Sequence, residues 1–168
     1  MTSYQFENLT VNIEQQDDVA TYSFVGEMTE RFEFKNMQMT SCPKIVFDMS
    51  QVRSFNSCGI REWVFFMKEF ENVDSLTFEK CSISTIDQFN MVPATLGIGI
   101  VESFYAPYYC EGEDKPLEKL IHITASANDL SQGQAPILKC DSCSMELIFD
   151  AIEESYFVFI TGAISRSA

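Results

Sequence analysis

Cys140-Asp141-Ser142-Cys143 is the stretch of this sequence whose residue types and spacing point most directly to chemistry. Two cysteines separated by two residues can turn both thiolates toward one point, and zinc takes four such donors in a tetrahedron. The pair follows strand-like Ile137-Leu138 and precedes Met145 to Phe149, so a turn between extended segments is the expected frame. Half of a second pair lies upstream, in Tyr108-Tyr109-Cys110-Glu111-Gly112-Glu113. Cys110 stands where that pair begins, and Glu113 stands in the place of its second cysteine. Carboxylate oxygen and imidazole nitrogen are both zinc donors, so Glu113, Asp114 or the single histidine, His122, is a candidate fourth ligand to Cys110, Cys140 and Cys143. Such a metal would be structural, since no open position with a neighbouring general base is evident in this segment.

The chain between Cys110 and Cys140 is long enough for an intervening hairpin, and the region resembles a zinc ribbon that has lost one ligand. The resemblance implies a small β-rich unit with a structural zinc. A decayed ribbon, metal-free and held by packing alone, is the alternative. A thiol redox pair is a third use of C-x-x-C, but it expects a strand-to-helix setting that Met145-Glu146-Leu147-Ile148-Phe149 does not offer.

A second candidate is Asn56-Ser57-Cys58-Gly59, directly before a helix-periodic run. Asn and Ser are helix-capping types, and the amides at a helix start raise the thiolate fraction of a nearby thiol. Cys58 is therefore a candidate redox-sensing thiol; the plainer reading is that Asn56 and Ser57 cap the helix and Cys58 fills a small space.

Enzymatic templates fare worse. Any Ser-His-Asp or Cys-His mechanism must use His122, which lies in Leu120-Ile121-His122-Ile123 where alternation turns it away from the isoleucines, a solvent-facing strand position. No phosphate-binding loop, dinucleotide fingerprint, nucleophile elbow or H-E-x-x-H occurs. Asp17-Asp18 and Glu153-Glu154 read as solvated turns. The chain reads as a non-enzyme.

The elements that must position these residues follow from periodicity. Leu9, Val11 and Ile13 alternate as a strand, a second run from Val19 ends at Gly26, and Gln15 to Asp18 turns between them. Met28, Phe32, Phe34 and Met37 suggest a short helix or turn, broken before Pro43. Lys44 to Asp48 is a buried strand followed by a polar loop, and Ile60, Trp63, Val64, Met67 and Phe70 draw an apolar stripe on a helix. Leu76 to Phe78 is a strand, Ser82 to Val92 a helix ended by Pro93, and Ile98 to Tyr105 a strand. This order predicts an α/β fold, a mixed sheet covered by helices on at least one face. From Ala106 helical periodicity disappears, and the segments 117–124, 137–138, 146–149 and 156–160 predict a β-rich appendix with Ser126 to Pro136 as its loosest loop. The division is a main unit over 1–105 and an appendix over 106–168.

Ile45-Val46-Phe47-Asp48-Met49-Ser50, leading through a loop to Asn56-Ser57-Cys58-Gly59, resembles the signature of STAS domains, the fold of bacterial anti-sigma factor antagonists. There a strand ending in Asp-Leu-Ser leads to Asp-Ser-Ser-Gly. The resemblance covers the first unit. It implies a non-catalytic protein-interaction module that binds a regulatory protein, an anti-sigma factor or kinase-like partner, through Asn56, Ser57, Cys58, Gly59 and Arg61, with Glu62 beside them. In that family the second Ser is phosphorylated to break the complex. Cys58 stands there and Asn56 replaces the Asp, so the resemblance implies binding without that switch. A thiol- or zinc-responsive sensor, using Cys58 or the Cys110/Cys140/Cys143 set, is the alternative.

Net charge is -14 over 168 residues, a field that repels phosphate backbones and anionic membranes. No secretory signal opens the chain and no run of about 18 apolar residues occurs, so a cytoplasmic location with reduced thiols is expected. The aromatic segment Phe104 to Tyr109 is either the joint between the units or a self-association surface.

Overall fold

Alternation of apolar with small polar residues drives the first part of the chain into strands. The computed structural model describes residues 1–160. Strands β1 (Thr2–Gln5), β2 (Leu9–Gln16) and β3 (Val19–Met28) form an antiparallel meander, with Asp17 in the left-handed region (φ 54°) at the tight turn between β2 and β3. A single 3-10 turn at Phe34–Asn36 leads to β4 (Lys44–Phe55), which pairs parallel to β3. Then follow α1 (Ser57–Lys68), β5 (Ser75–Glu79), α2 (Ile83–Met91) and the short β6 (Ile100–Val101), with β4, β5 and β6 parallel. The six strands lie in sequence order, β1 to β6. The protein is thus an α/β fold on a mixed sheet.

Parallel neighbours in sequence order put successive crossover helices on one face, because such crossovers take one hand, and α1 and α2 do pack on the same side of the sheet. That face is aromatic. Phe66 of α1 lies 5.8 Å from Phe47 and 6.0 Å from Phe24 between ring centroids, and Trp63 lies 5.2 Å from Phe24. Phe89 of α2 packs 4.9 Å from Phe78. The buried indole satisfies its N–H by donating to the Thr95 carbonyl at 2.8 Å. The opposite face carries Asn12, Ser23, Asp48 and Glu79, part-exposed and aligned across four strands.

A second sheet, in the order β8-β7-β9, is built from β7 (Ser103–Cys110), β8 (Lys115–His122) and β9 (Ile148–Phe149). Short helices α3 (Ala127–Ser131) and α4 (Glu153–Tyr156) accompany it. Phe104 joins the two parts: it bridges to Cys81 and packs against Tyr156, Phe157 and Phe159. Asn90 of α2 donates to the Tyr156 carbonyl and accepts from the Phe159 amide, both at 2.8 Å. No helix among the described residues is long and apolar enough to cross a membrane.

Several expectations change. The second strand does not stop at Gly26, and the polar loop expected after Asp48 is strand: β3 and β4 stay paired to Met28 and Phe55 by absorbing two register shifts, which scramble the alternation. The stripe on α1 is centred on Trp63, Phe66 and Met67, while Ile60 and Val64 are only half-buried. The strand expected over Ile98 to Tyr105 is split between β6 and β7, so the boundary drawn at 105/106 falls inside β7. The loop 126–136 contains α3, and the segment 156–160 is helical rather than extended, because its aromatics cover Phe104 instead of joining a ladder. Residues 161–168 of the expected appendix lie outside the described residues.

Candidate functional site

β7 ends at Cys110 and β8 begins at Lys115, its direct partner in the antiparallel register, so the turn 111–114 lies beside both side chains. The other arm is the turn at Cys140–Cys143, closed by the Cys140 amide on the Met145 carbonyl (2.8 Å) and the Ser144 amide on the Cys140 carbonyl (2.9 Å). Among the described residues, the group that gathers three potential ligand atoms is Cys110, Cys140 and Cys143, whose sulfurs all lie within 4.8 Å of one another. Cys110 Sγ and Cys143 Sγ are 3.4 Å apart, and the thiols are free. A tetrahedral zinc with Zn–S bonds of about 2.3 Å needs sulfurs about 3.8 Å apart, so this set can hold a metal ion with little movement.

Its immediate surroundings suit anionic sulfur. Backbone N–H groups of Cys143 and Ser142 point at Cys140 and bring its thiol down to about 7. Burial and the neighbouring Cys143 and Cys140 thiols push Cys110 up, against the amides of Glu113 and Gly112. Each turn therefore aims amides at its first cysteine. Gly112 allows the two turns to close: a Cβ there would sit 2.6 Å from Met145 Sδ and 2.9 Å from Cys143 Sγ.

The candidate fourth ligands separate clearly. His122 pairs with Ser103, seven residues along β7 from Cys110, or about 24 Å at the rise of a strand, so it is no ligand of this set. Asp114 is exposed and accepts from the Tyr109 hydroxyl. Glu113 lies outside the three-sulfur group yet is half-buried. Its Oε2 is shielded from solvent, makes no hydrogen bond of good geometry and faces the Lys115 ammonium in an ion pair. That ammonium, with Ser142, holds the Glu113 carboxyl below its usual range. Sequence reasoning missed Lys115, Ser142 and Gly112. Hairpin pairing would have placed Lys115 beside Cys110; the approach of Gly112 to Cys143 had no sequence signal.

The α1 start is organised differently. Asn56 caps the helix as expected: its Oδ1 accepts from the Gly59 amide at 2.7 Å, and its Nδ2 donates to Glu30 Oε2 at 2.9 Å. Its own amide donates to the Met28 carbonyl at 3.0 Å, seating the loop on the end of β3. Gly59 is buried, and a Cβ there would lie 2.0 Å from Met28 O, so it positions the helix and offers a partner no side-chain surface. Ser57, Cys58 and Arg61 are exposed, and Arg61 pairs with Glu62 at 3.0 Å. Glu30 was missed because it reaches the cap from the turn after β3, far away in the sequence.

Asp48-Met49-Ser50 lies away from both places. Asp48 Oδ1 accepts from the Ser50 hydroxyl (2.6 Å) and amide (3.0 Å), and Oδ2 meets Lys80 Nζ at 3.0 Å. Burial raises this carboxyl, but the Ser50 groups and the Lys80 ammonium outweigh it and hold it below the usual range.

No protein-family model matches the chain, and no curated protein matches it.

Proposed function

We propose that the protein is a non-catalytic interaction module of STAS type, acting in the cytoplasm by binding a regulatory protein at the start of α1. The observation that carries this reading is the exposure of Ser57, Cys58 and Arg61 on a helix start whose cap is already made within the chain. A fixed backbone spares a partner the cost of ordering the loop, which leaves only the exposed side chains to be immobilised and the Arg61–Glu62 pair to be exchanged. An acidic chain with Arg61 at this point suits a partner of the anti-sigma factor or kinase-like class that offers a carboxylate. The test is titration calorimetry of the full chain against a regulatory protein that co-purifies with it. Arg61→Glu and Cys58→Trp should each weaken the complex at least about tenfold, the loss of a single good contact, with circular dichroism unchanged. Affinity indifferent to both substitutions would end the proposal.

In the same proposal, Cys110, Cys140 and Cys143 hold a structural zinc that ties the β7–β8 turn to the turn before β9. Elemental analysis of protein purified without a metal-affinity tag should return one equivalent of zinc, lost in Cys140→Ser. A zinc- or thiol-responsive sensor is the second reading, favoured by the 3.4 Å approach of Cys110 to Cys143. It predicts that chelation or oxidation changes the partner affinity, and an unchanged binding curve would remove it.

A further inference from the structure

Three thiols leave a tetrahedral ion one donor short, and the turn that carries Cys110 holds a shielded carboxylate oxygen, Glu113 Oε2, whose partner is a lysine ammonium. Glu113 occupies the place in its turn that Cys143 occupies in the other, three residues after the first cysteine. Its Oε2 is shielded from water and lacks a hydrogen bond of good geometry, which is costly for a carboxylate unless a cation faces it. The cation present is the ammonium of Lys115. Lys115 is the cross-strand partner of Cys110, so both side chains leave the hairpin on the same face. The ammonium therefore sits on the Glu113 carboxylate and within electrostatic reach of Cys140 and Cys110, so a divalent ion bound by the sulfurs meets a positive charge already beside them.

We infer that Glu113 is the fourth ligand of this metal site and that Lys115 is its place-holder, an ammonium that pairs with the Glu113 carboxylate in the metal-free protein and yields it when zinc enters. The inference rests on the three-thiol reading above. Binding exchanges one cation for another at Oε2: zinc takes three sulfurs and one oxygen, the protons still on the thiols pass to solvent, and Lys115 stays protonated as it turns outward. Lys115 then does two things. It keeps the shielded oxygen of a half-buried carboxylate compensated while the site waits, and it sets a threshold, because any metal must compete with it. Glutamate in place of cysteine makes such a threshold workable, since the ammonium pairs well with a carboxylate and poorly with a neutral thiol.

The experiment is a Co2+ titration of the full chain, purified metal-free under reducing conditions, with Zn2+ competition to obtain affinities. Wild type should take one Co2+ with thiolate charge-transfer and tetrahedral d–d bands. Glu113→Gln should weaken binding by about 10- to 100-fold and reduce the d–d bands, on the scale of losing a supporting ligand group. Glu113→Cys should bind with a four-sulfur spectrum. Lys115→Met should bind several-fold more tightly with the wild-type spectrum, a readout that a merely structural lysine would not move in that direction. Affinity and bands unchanged in both Glu113 variants, with binding lost in Cys140→Ser, would overturn Glu113 as ligand and leave the three-thiol site standing. Equal or weaker binding by Lys115→Met would overturn the exchange. Absence of Co2+ binding by both wild type and Glu113→Cys would overturn the three-thiol reading itself, and this inference with it.

Discussion

The start of α1 and the thiol cluster are both built from a turn whose amides converge, yet they treat their polar groups in opposite ways. At α1 the accounts close within the chain: Asn56 takes the Gly59 amide, gives to Glu30, and anchors its own amide on Met28. What remains outward is side chain alone, Ser57, Cys58 and Arg61. At the cluster, three sulfurs lie within 4.8 Å of one another, and a shielded Glu113 oxygen lies in the same turn, outside that group. A surface suited to another protein satisfies its backbone and leaves its side chains exposed. A site suited to an ion leaves acceptors crowded together.

Removing metal should break this contrast most sharply. At a free zinc concentration a thousandfold above Kd, chelation should lower the unfolding free energy by about 4 kcal/mol, measured by urea denaturation with and without chelator. Matching denaturation curves would show that the cluster holds nothing. At the other region, Gly59→Ala places a methyl group on the Met28 carbonyl and should cost about 1–3 kcal/mol by the same assay, with Co2+ binding untouched. A smaller loss, about 1 kcal/mol, is expected for Asn56→Ala, which deletes the cap; wild-type stability in that variant would mean the cap is not what fixes the helix start.

The smallest effect concerns acid. The Asp48 carboxyl has its pKa lowered in the folded chain, so its stabilising share is complete above the ordinary value of 3.8 and is lost as pH falls through the folded value. Urea midpoints followed from pH 5 downward, to about pH 2, should fall less steeply in Asp48→Asn than in wild type. Parallel slopes would show that Asp48 takes no part in the acid limb.

Much of this architecture was legible because burial on one face writes itself into the sequence. The alternation over Leu9 to Ile13, the stripe through Trp63 and Met67, and the cap Asn56 all report local geometry. β1 was not legible: it is an edge strand held by backbone pairing to β2 with little of its surface buried, so its side chains carry almost no pattern. The far half of β4 was hidden by the register shifts, and the helical run over 156–160 by apolar residues placed to cover Phe104 and Phe149 rather than to draw a helical stripe. Of the cluster, cysteine spacing disclosed the three sulfurs. It could not disclose Lys115 or exclude His122, because both depend on how β7 and β8 pair.

That pairing bears on where the chain can be divided. β6 is two residues long, and beyond it the rim of the six-stranded sheet is closed by the first residues of β7, through the Cys81 amide on the Ser103 carbonyl and the Tyr105 amide on the Cys81 carbonyl. A fragment ending at Tyr105, where composition alone would place a cut, keeps those bonds but sheds β8 and the rings of Tyr156, Phe157 and Phe159. It would present a bare strand edge beside an uncovered Phe104, the combination that recruits foreign strands and aggregates. A cut at that point therefore divides a strand that serves both sheets rather than separating two independent units.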